Sequence, residues 1–459
     1  MNYKEFLERK QRFDVNTGHE PTPTSDVLFD FQSDIVKWAV RRGRAAIFAD
    51  CGLGKTLMQL EWAKQICEHN GGDVIILAPL AVAAQTAREA HNMLNMKVQV
   101  CETQDDIRPG INITNYEKLH NFEPSHFAGV VLDESSIIKH HTSKTRDQLL
   151  QSFQSTPYRL ACTATPSPND FMELGNHAEF IGAMTRSEML SMFFIHDGGD
   201  TAKWRLKGHA QGDFWKFLCS WAVMVRKPSD LGYIDSNFTL PHINIKDHVI
   251  KADGPRNGML FAIAAKTLSD RRAARKESLE DRVAVAADLV NKSTEQWIVW
   301  CDLNIESDML KKSIVDAIEV RGSDNNRHKE AAMIGFSEGR HRVLVSKPSI
   351  AGFGMNFQNC HNMAFVGLSD SFEAYYQATR RCWRFGQKNP VNVHVITSEM
   401  EGGVVANIKR KEQDAERMAT AMVEHMSSIS SIEIKGISRT VSEYKPKQEV
   451  VLPKFLEAI

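Results

Sequence analysis

The sequence predicts an α/β protein with two parallel-sheet domains joined by a helical connecting segment. In two blocks of the chain, short apolar runs alternate with helical patterns, which indicates parallel sheets covered by helices on both faces. Between the blocks, residues 167–290 interrupt this alternation with helical patterns rich in aromatic residues. The length of 459 residues also exceeds what one ordinary core accommodates.

The apolar runs give the order of the elements. An amphipathic helix around Phe31 and Trp38 precedes the first run, which ends at Ala49. Further strands are predicted at 74–78, 98–100, 111–114, 130–132 and 159–162, and in the second block at 297–301, 317–321, 343–345, 363–366 and 391–396. The predicted units are a lead-in at 1–27, a first sheet domain at 28–166, the connecting segment at 167–290, a second sheet domain at 291–401, and a C-terminal helix and tail at 402–459.

Composition restricts the class of protein. The net charge is -1, so any nucleic-acid surface must be local rather than a property of the whole chain. The eight cysteines are scattered without a Cys-x-x-Cys pair, which argues against a zinc module and favours free thiols in a reducing compartment. No secretion signal is visible, and no apolar run approaches the ~18 residues of a membrane span. We expect a cytoplasmic protein with no membrane partner.

A phosphate-binding loop is predicted where the first strand meets the following helix. Gly52 and Gly54 allow the backbone to curl so that successive N–H groups face one anion at a helix N-terminus. Lys55 would reach the outer phosphates, and the Thr56 hydroxyl would ligate magnesium. The usual first glycine of the pattern is replaced by Ala49.

Asp133 and Glu134 end an apolar strand, which is where ligands sit on open α/β sheets. In a phosphate-loop enzyme, an aspartate at this place holds magnesium and a neighbouring glutamate orients the attacking water. An ordinary strand-end Asp-Glu pair is the alternative, and the position downstream of the phosphate loop favours the catalytic interpretation.

Three polar residues of the first domain have weaker signals. Gln32, on the helix before the phosphate loop, has a carboxamide that can pair with adenine, although a surface glutamine is the simpler interpretation. Thr163 and Thr165 end a strand, where their hydroxyls could couple the nucleotide site to a bound nucleic-acid strand. A plain Thr-Pro turn explains them equally well.

Arg381 and Arg384 stand three residues apart in the second block and share a face if helical. Such arginines usually form a solvated face, but these stop at Gly386, which directs them past a helix end. Guanidinium groups supplied across a cleft stabilise the charge that develops on a transferring phosphoryl group.

The order of these motifs resembles that of superfamily 2 helicases. The series comprises Phe31-Gln32, the phosphate loop, Leu77-Ala78-Pro79-Leu80, Asn115-Tyr116-Glu117, Asp133-Glu134, Thr163 to Pro166, Gly352 to Asn356 and Gln377 to Gln387. The amino-acid sequences of these motifs are most similar to those of Swi/Snf-type DNA-dependent ATPases, in the compact versions of bacteria and their viruses. The resemblance covers roughly residues 28 to 397.

The resemblance implies two RecA-like domains that grip ATP and Mg²⁺ between them. Lys55, Thr56 and Asp133 would bind phosphates and magnesium, Glu134 would activate water, and Arg381 with Arg384 would complete the site from the second domain. The nucleotide-binding set implied by the family is Gln32, Gly52, Gly54, Lys55, Thr56, Gly354 and Gln377.

The resemblance also implies a path for nucleic acid across both domains. Pro79, Asn115, Tyr116 and Ser349 are the expected backbone contacts, and Thr163 with Thr165 would couple the two sites. The acidic motif at residues 133–136 is Asp-Glu-Ser-Ser, without the histidine that some relatives use for coupling. No chromatin-reading module is visible, which puts nucleosome remodelling in doubt.

The leading hypothesis is an ATP-dependent helicase or translocase acting on duplex or forked DNA, in replication, recombination or repair of a phage or bacterium. The alternatives are the motor subunit of a restriction or defence system, and a nucleotide-gated nucleic-acid clamp with little turnover. RNA is a less favoured substrate. The C-terminal tail could dock a protein partner, and the basic runs 271–276 and 409–411 could touch DNA or form solvated helix faces.

Overall fold

The structure is a computed structural model that describes residues 17–79, 82–139, 143–167, 170–197, 200–235, 238–251, 277–352, 355–369 and 371–434. The basic run 271–276, Leu80, Gly354 and the tail beyond residue 434 lie outside the described residues. Within those ranges, no helix combines the length and apolar character that crossing a bilayer requires.

The first domain is a seven-stranded parallel sheet with helices on both faces, in the strand order β3-β4-β2-β5-β6-β1-β9, in which β9 is Ala222–Val225. Its elements are α1 (Asp30–Arg42), β1 (Arg44–Ala49), α2 (Lys55–Asn70), β2 (Asp73–Ala78), α3 (Ala83–Leu94), β3 (Val98–Val100), β4 (Ile111–Asn115), β5 (Phe127–Asp133), α4 (Lys144–Ser152) and β6 (Tyr158–Thr163). All six strands predicted for this block are present.

The connecting segment is not wholly helical, contrary to the sequence expectation. It contains α5 (Leu174–Ile181), α6 (Arg186–Phe193), the antiparallel pair β7 (Phe194–Asp197) and β8 (Asp200–Leu206), α7 (Gln211–Cys219), β9 (Ala222–Val225) and β10 (Ile243–Ile250). Strand β9 pairs with β1 at the edge of the first sheet, and β10 becomes an edge strand of the second sheet. Local sequence patterns do not indicate these edge strands, because the strands that they pair with lie far away in sequence.

The second domain is a six-stranded parallel sheet in the order β10-β15-β14-β11-β13-β12. Its elements are α8 (Leu279–Asn291), β11 (Trp297–Cys301), α9 (Asn304–Ser313), β12 (Ala317–Val320), α10 (Asn326–Ser337), β13 (Val343–Ser346), α11 (Pro348–Ala351), β14 (Asn362–Val366), α12 (Phe372–Thr379) and β15 (Val391–Ser398). The prediction of two parallel-sheet domains is confirmed, and two RecA-like domains describe the arrangement.

Each sheet buries apolar residues on both faces. In β1, Ala45 and Ile47 belong to one apolar cluster, and Ala46 and Phe48 belong to the cluster on the other face. Successive side chains of a strand point to opposite faces, so a nearly continuous apolar run indicates a strand covered on both sides.

The last helix, α13 (Gly402–Ile434), connects the two domains. Its first turns place Val404 and Ile408 in the core of the second domain. Its later turns place Met422 and Met426 in the first-domain core. Because one continuous helix contributes to both cores, it ties the two domains together.

We predict that the double substitution Met422→Ala and Met426→Ala loosens this attachment. Both side chains are fully buried, and truncating a buried methionine costs about 2 to 5 kcal/mol. Hydrogen exchange should accelerate in the C-terminal half of α13, and the first domain should melt at a lower temperature. Glu424→Ala, an exposed position on the same helix, serves as the control and should change neither reading.

Candidate active site

The predicted nucleotide loops meet because their strands are neighbours. Strands β5, β6 and β1 are adjacent in the first sheet and run parallel. Their carboxyl ends therefore lie side by side and bring together the acidic pair, Thr163 and the phosphate loop.

The phosphate loop has the expected curled backbone. Gly52 and Gly54 have φ values of 89° and 79°, in the region that side chains disfavour. The Lys55 Nζ donates to the carbonyls of Ala49 and Asp50 at 2.8 and 3.2 Å. Ala49 is the last residue of β1 and lacks a positive φ, so the loop does not need glycine there.

Gln32 is buried against the phosphate loop rather than exposed. Its Nε2 donates to the Leu53 carbonyl at 2.8 Å, and its Oε1 accepts from the Phe29 amide at 3.0 Å. A Cβ at Gly54 would lie 2.3 Å from this Nε2. Gln32 therefore braces the loop, and its close approach is a second reason for glycine at position 54.

The acidic pair is buried and held by polar neighbours. Gln59 on α2 donates to Asp133 Oδ1 at 2.7 Å. Burial and the neighbouring Glu134 raise the pKa of Asp133 to about 6, although Gln59 and Lys55 oppose the rise. Sequence reasoning missed Gln59, because a lone glutamine within a helix carries no signal.

Glu134 has a left-handed backbone with φ 53°. Such backbones are uncommon outside glycine and cluster at functional sites. Thr163 donates to Glu134 Oε2 at 3.4 Å and accepts from the Thr165 amide at 3.1 Å. Thr163 therefore links the acidic pair to the loop that carries Thr165.

The two predicted arginines follow α12, next to the first domain. Arg381 is buried and donates to Gln377 Oε1 at 2.7 Å and to the Met355 carbonyl at 3.1 Å. Burial and the adjacent Arg381 lower the pKa of Arg384 to about 10. The Nε of Arg384 is buried and has no hydrogen-bond partner among the described residues.

The arginine segment, which runs from Arg380 to Phe385, packs against the phosphate loop. A Cβ at Gly52 would lie 3.0 Å from the Phe385 amide nitrogen, so the two backbones are in close contact. The Cys51 Sγ of the loop also lies 4.0 Å from Gln377 Oε1 of the second domain. The structure thus brings Lys55, the acidic pair and the arginine segment to one interdomain cleft.

Two family models match the chain. An SNF2-related domain covers residues 31–193, and a helicase conserved C-terminal domain covers residues 281–386. The chain belongs to the Swi/Snf-like group of the superfamily 2 helicases. No curated protein matches it.

As a Swi/Snf-like protein, the chain is a superfamily 2 ATPase, and its residues suit a triphosphate with magnesium. The unpartnered Arg384 Nε supplies a buried cationic donor beside the phosphate loop. Magnesium usually keeps several waters and takes one or two protein oxygens plus phosphates. Thr56 at the start of α2 and the Asp133 carboxylate match that donor set.

The predicted nucleic-acid contacts have different surroundings in this Swi/Snf-like structure. Asn115 is buried and its Oδ1 accepts from the Lys118 amide at 3.0 Å, so it caps a short helix. Tyr116 is also buried, and its hydroxyl donates to the Asp133 carbonyl at 2.6 Å. Both side chains therefore have internal partners in this structure, and their role as nucleic-acid contacts stays a prediction.

Pro79 is half-buried at the end of β2, and Ser349 is exposed on α11. Their role as nucleic-acid contacts stays a prediction. Gly354 is outside the described residues.

The structure shows contacts between the domains that sequence patterns did not indicate. Asp50 in the phosphate loop accepts from the Tyr376 hydroxyl at 2.8 Å and forms an ion pair with Arg380. Lys139, beyond the acidic pair, forms an ion pair with Glu373. Each of these contacts joins residues more than two hundred positions apart in sequence, so local patterns could not indicate it.

A buried histidine contacts the residue that follows the acidic pair. His177 on α5 lies 3.1 Å from the Ser135 hydroxyl through its Nε2. Burial lowers the pKa of His177 to about 4, so the imidazole is neutral at physiological pH. A lone histidine in a helical pattern gave no indication of this contact.

We predict that magnesium-dependent nucleotide binding weakens below about pH 6. The pKa of Asp133 is raised, so its carboxyl becomes protonated as the pH falls through this value, and a metal must then displace the proton. Well below the pKa, one displaced proton costs about tenfold in apparent magnesium affinity per pH unit. Titration of magnesium with a fluorescent ATP analogue at pH 5 to 8 measures the effect.

The Asp133→Asn variant is the control for this pH dependence. It should bind magnesium weakly and show little change over the same interval. If nucleotide binding by Asp133→Asn weakens below pH 6 as steeply as that of the wild type, the titrating group is not Asp133.

Proposed function

We propose that this chain is a DNA-dependent ATPase that couples ATP hydrolysis to movement along duplex or forked DNA. The observation that carries the proposal is the arginine segment of the second domain packed on the phosphate loop of the first, where Gly52 meets Phe385. A site divided between two domains links the state of the nucleotide to their relative position.

The proposed division of labour follows from chemistry. Lys55 and the phosphate-loop amides would hold the phosphates, and magnesium, carried by Thr56 and Asp133, would neutralise phosphate charge. Glu134 would orient the attacking water. Arg384, with its unpartnered Nε, would stabilise the charge that develops on the transferred group.

Arg381 has a different proposed role. Its guanidinium donates three hydrogen bonds within the second domain, to the Gln377 carbonyl, Gln377 Oε1 and the Met355 carbonyl. In this conformation Arg381 shapes the segment that presents Arg384, while Gln377 also donates to the Thr165 hydroxyl across the cleft at 3.4 Å. Thr165 and Gln377 are therefore proposed to couple the domains.

A cytoplasmic role in DNA replication, recombination or repair in a bacterium or its virus fits this activity. The restriction-motor alternative uses the same site and differs only in the partner subunit. A clamp with little turnover is less well supported, because Thr163 holds Glu134 in the acidic pair beside the cleft.

We predict that Glu134→Gln abolishes ATP hydrolysis and retains ATP binding. The amide keeps the size of the side chain but cannot accept a proton from water. Phosphate release and fluorescent-nucleotide binding measure the two properties. The matched control is Glu123→Gln, an exposed glutamate in the same domain, which should leave both unchanged. Normal hydrolysis in Glu134→Gln would refute the role assigned to that residue.

We also predict that DNA stimulates phosphate release and that RNA stimulates it less. Single-stranded, duplex and forked DNA should be compared at several salt concentrations, because binding through phosphates weakens steeply with salt. Displacement of a third strand from a triplex without unwinding would identify a translocase, and strand separation at a fork would identify a helicase. Equal turnover with and without nucleic acid would contradict the proposed function.

A further inference from the structure

One face of α12 contacts three nucleotide-site loops of the first domain. Glu373, Tyr376, Gln377 and Arg380 are spaced i, i+3, i+4 and i+7, so they line one side of the helix and its C-terminal cap. Sequence analysis singled out only Gln377 among these four.

The partners of this face come from separate loops. Tyr376 and Arg380 both contact Asp50 of the phosphate loop. Glu373 pairs with Lys139, which follows the acidic pair. The Thr165 hydroxyl donates to Glu373 Oε1 at 3.5 Å, so the loop after β6 joins the same contact.

Arg380 is the most deeply buried charge in this interface. Its side chain is 1% exposed, against 13% for Asp50. The guanidinium carbon lies 4.9 Å from the Trp383 ring centroid and 5.5 Å from that of Tyr376. A buried cation of this kind needs a compensating anion, and Asp50 supplies it.

Asp50 also interacts with the phosphate loop itself. Its Oδ1 accepts from the Cys51 amide at 2.6 Å. The Asp50 carboxylate therefore accepts a hydrogen bond from a loop amide and also pairs with Arg380 of the second domain. Burial acts to raise the pKa of Asp50, but Arg380, Tyr376 and the Cys51 amide hold it below the ordinary value, so the group stays ionised.

The Arg380 guanidinium and the Cys51 amide are also groups that would bind a triphosphate. Phosphate oxygens favour guanidinium and backbone N–H donors, and a triphosphate carries more negative charge than one carboxylate. The Arg380 Nε is buried without a hydrogen-bond partner among the described residues, so the side chain has a donor to spare. A cavity of about 230 Å³ borders Asp50, Thr165, Tyr376 and Arg380 and leaves room for them to rearrange.

The second ion pair has the opposite polarity. The first domain supplies the anion to the Asp50–Arg380 pair and the cation to the Lys139–Glu373 pair. Shifting α12 so that the two pairs exchange partners would place like charges together. The two pairs therefore define one relative position of the domains.

We propose that the Asp50–Arg380 and Lys139–Glu373 ion pairs form an interdomain latch that holds the nucleotide-free protein, and that a bound triphosphate displaces Asp50 from Arg380. Arg380 is thus a nucleotide-sensing residue, separate from Arg381 and Arg384. The inference rests on the proposed ATP site, but not on DNA dependence or movement.

A double-mutant cycle tests the displacement. A fluorescent non-hydrolysable ATP analogue is titrated, without DNA, into the wild type, Asp50→Asn, Arg380→Gln and the double variant. Asp50→Asn should tighten binding in the wild-type background, because the competing carboxylate is gone. In the Arg380→Gln background the same change should have a smaller effect, with a difference of at least about fivefold, the low end for linked sites.

Simple repulsion between Asp50 and the phosphates would give a different result. In that case Asp50→Asn would tighten binding equally in both backgrounds, and the proposal would be overturned. Circular dichroism and thermal melting show whether each variant is folded before its affinity is compared.

A charge reversal tests the second pair without altering the phosphate loop. Spin labels at Asn92→Cys and Glu330→Cys, exposed positions on the two domains, report the interdomain distance by double electron–electron resonance spectroscopy. Lys139→Glu or Glu373→Lys alone should broaden the distance distribution of the nucleotide-free protein. The double reversal should restore a narrow distribution, and failure to restore it would remove this pair from the latch.

The exposed ion pair Lys292–Asp288 within the second domain provides the matched control. Reversing either of its charges should leave the interdomain distance unchanged. These measurements use no DNA and no turnover, so they separate the latch from the function. DNA-stimulated hydrolysis with no coupling between Asp50 and Arg380 would refute only the latch. Coupling without DNA stimulation would refute only the motor.

Discussion

The packing of one face of α12 on the loops at the carboxyl edge of the first sheet is the contact on which the whole site depends. Parallel strands alone place the phosphate loop, the acidic pair and Thr163 side by side. They leave that half of the site open until Gln377, Arg381 and Arg384 arrive from the second domain. The fit at Gly52, where a Cβ would meet the Phe385 backbone, shows how closely the two domains approach.

Buried charge explains why this contact is specific as well as close. Arg380 loses almost all of its hydration, and removing a charge from water costs several kcal/mol unless it is paired. The cost is offset only when Asp50 is opposite, so an interface in another register would be penalised. Aromatic rings around the guanidinium add favourable contacts of about 0.5 to 2 kcal/mol each. Helix α13 supports the same arrangement by contributing side chains to the cores of both domains.

The acidic pair shows how the fold adjusts ordinary groups for chemistry. Asp133 is buried beside another carboxylate, and this raises its pKa toward neutrality until a cation arrives. Glu134 is held in an uncommon backbone conformation, which only a surrounding structure that is itself well determined can maintain. Gln59, Thr163 and the Tyr116 hydroxyl provide this support, and Gln59 carries no signal in the local sequence.

The sequence by itself determined the two-sheet architecture, eleven of the thirteen described strands of the two sheets and the position of the phosphate loop, because these depend on local apolar patterns and on glycine spacing around Lys55. It also identified the superfamily through the order of its motifs. It did not determine that β9 and β10 join the sheets, that Asn115 and Tyr116 face inward, or that Asp50 meets Arg380. Those features arise from residues brought together by folding, whose energies come from pairing and burial between distant parts of the chain. Only the tertiary structure decides which of many polar residues loses its water and finds a partner.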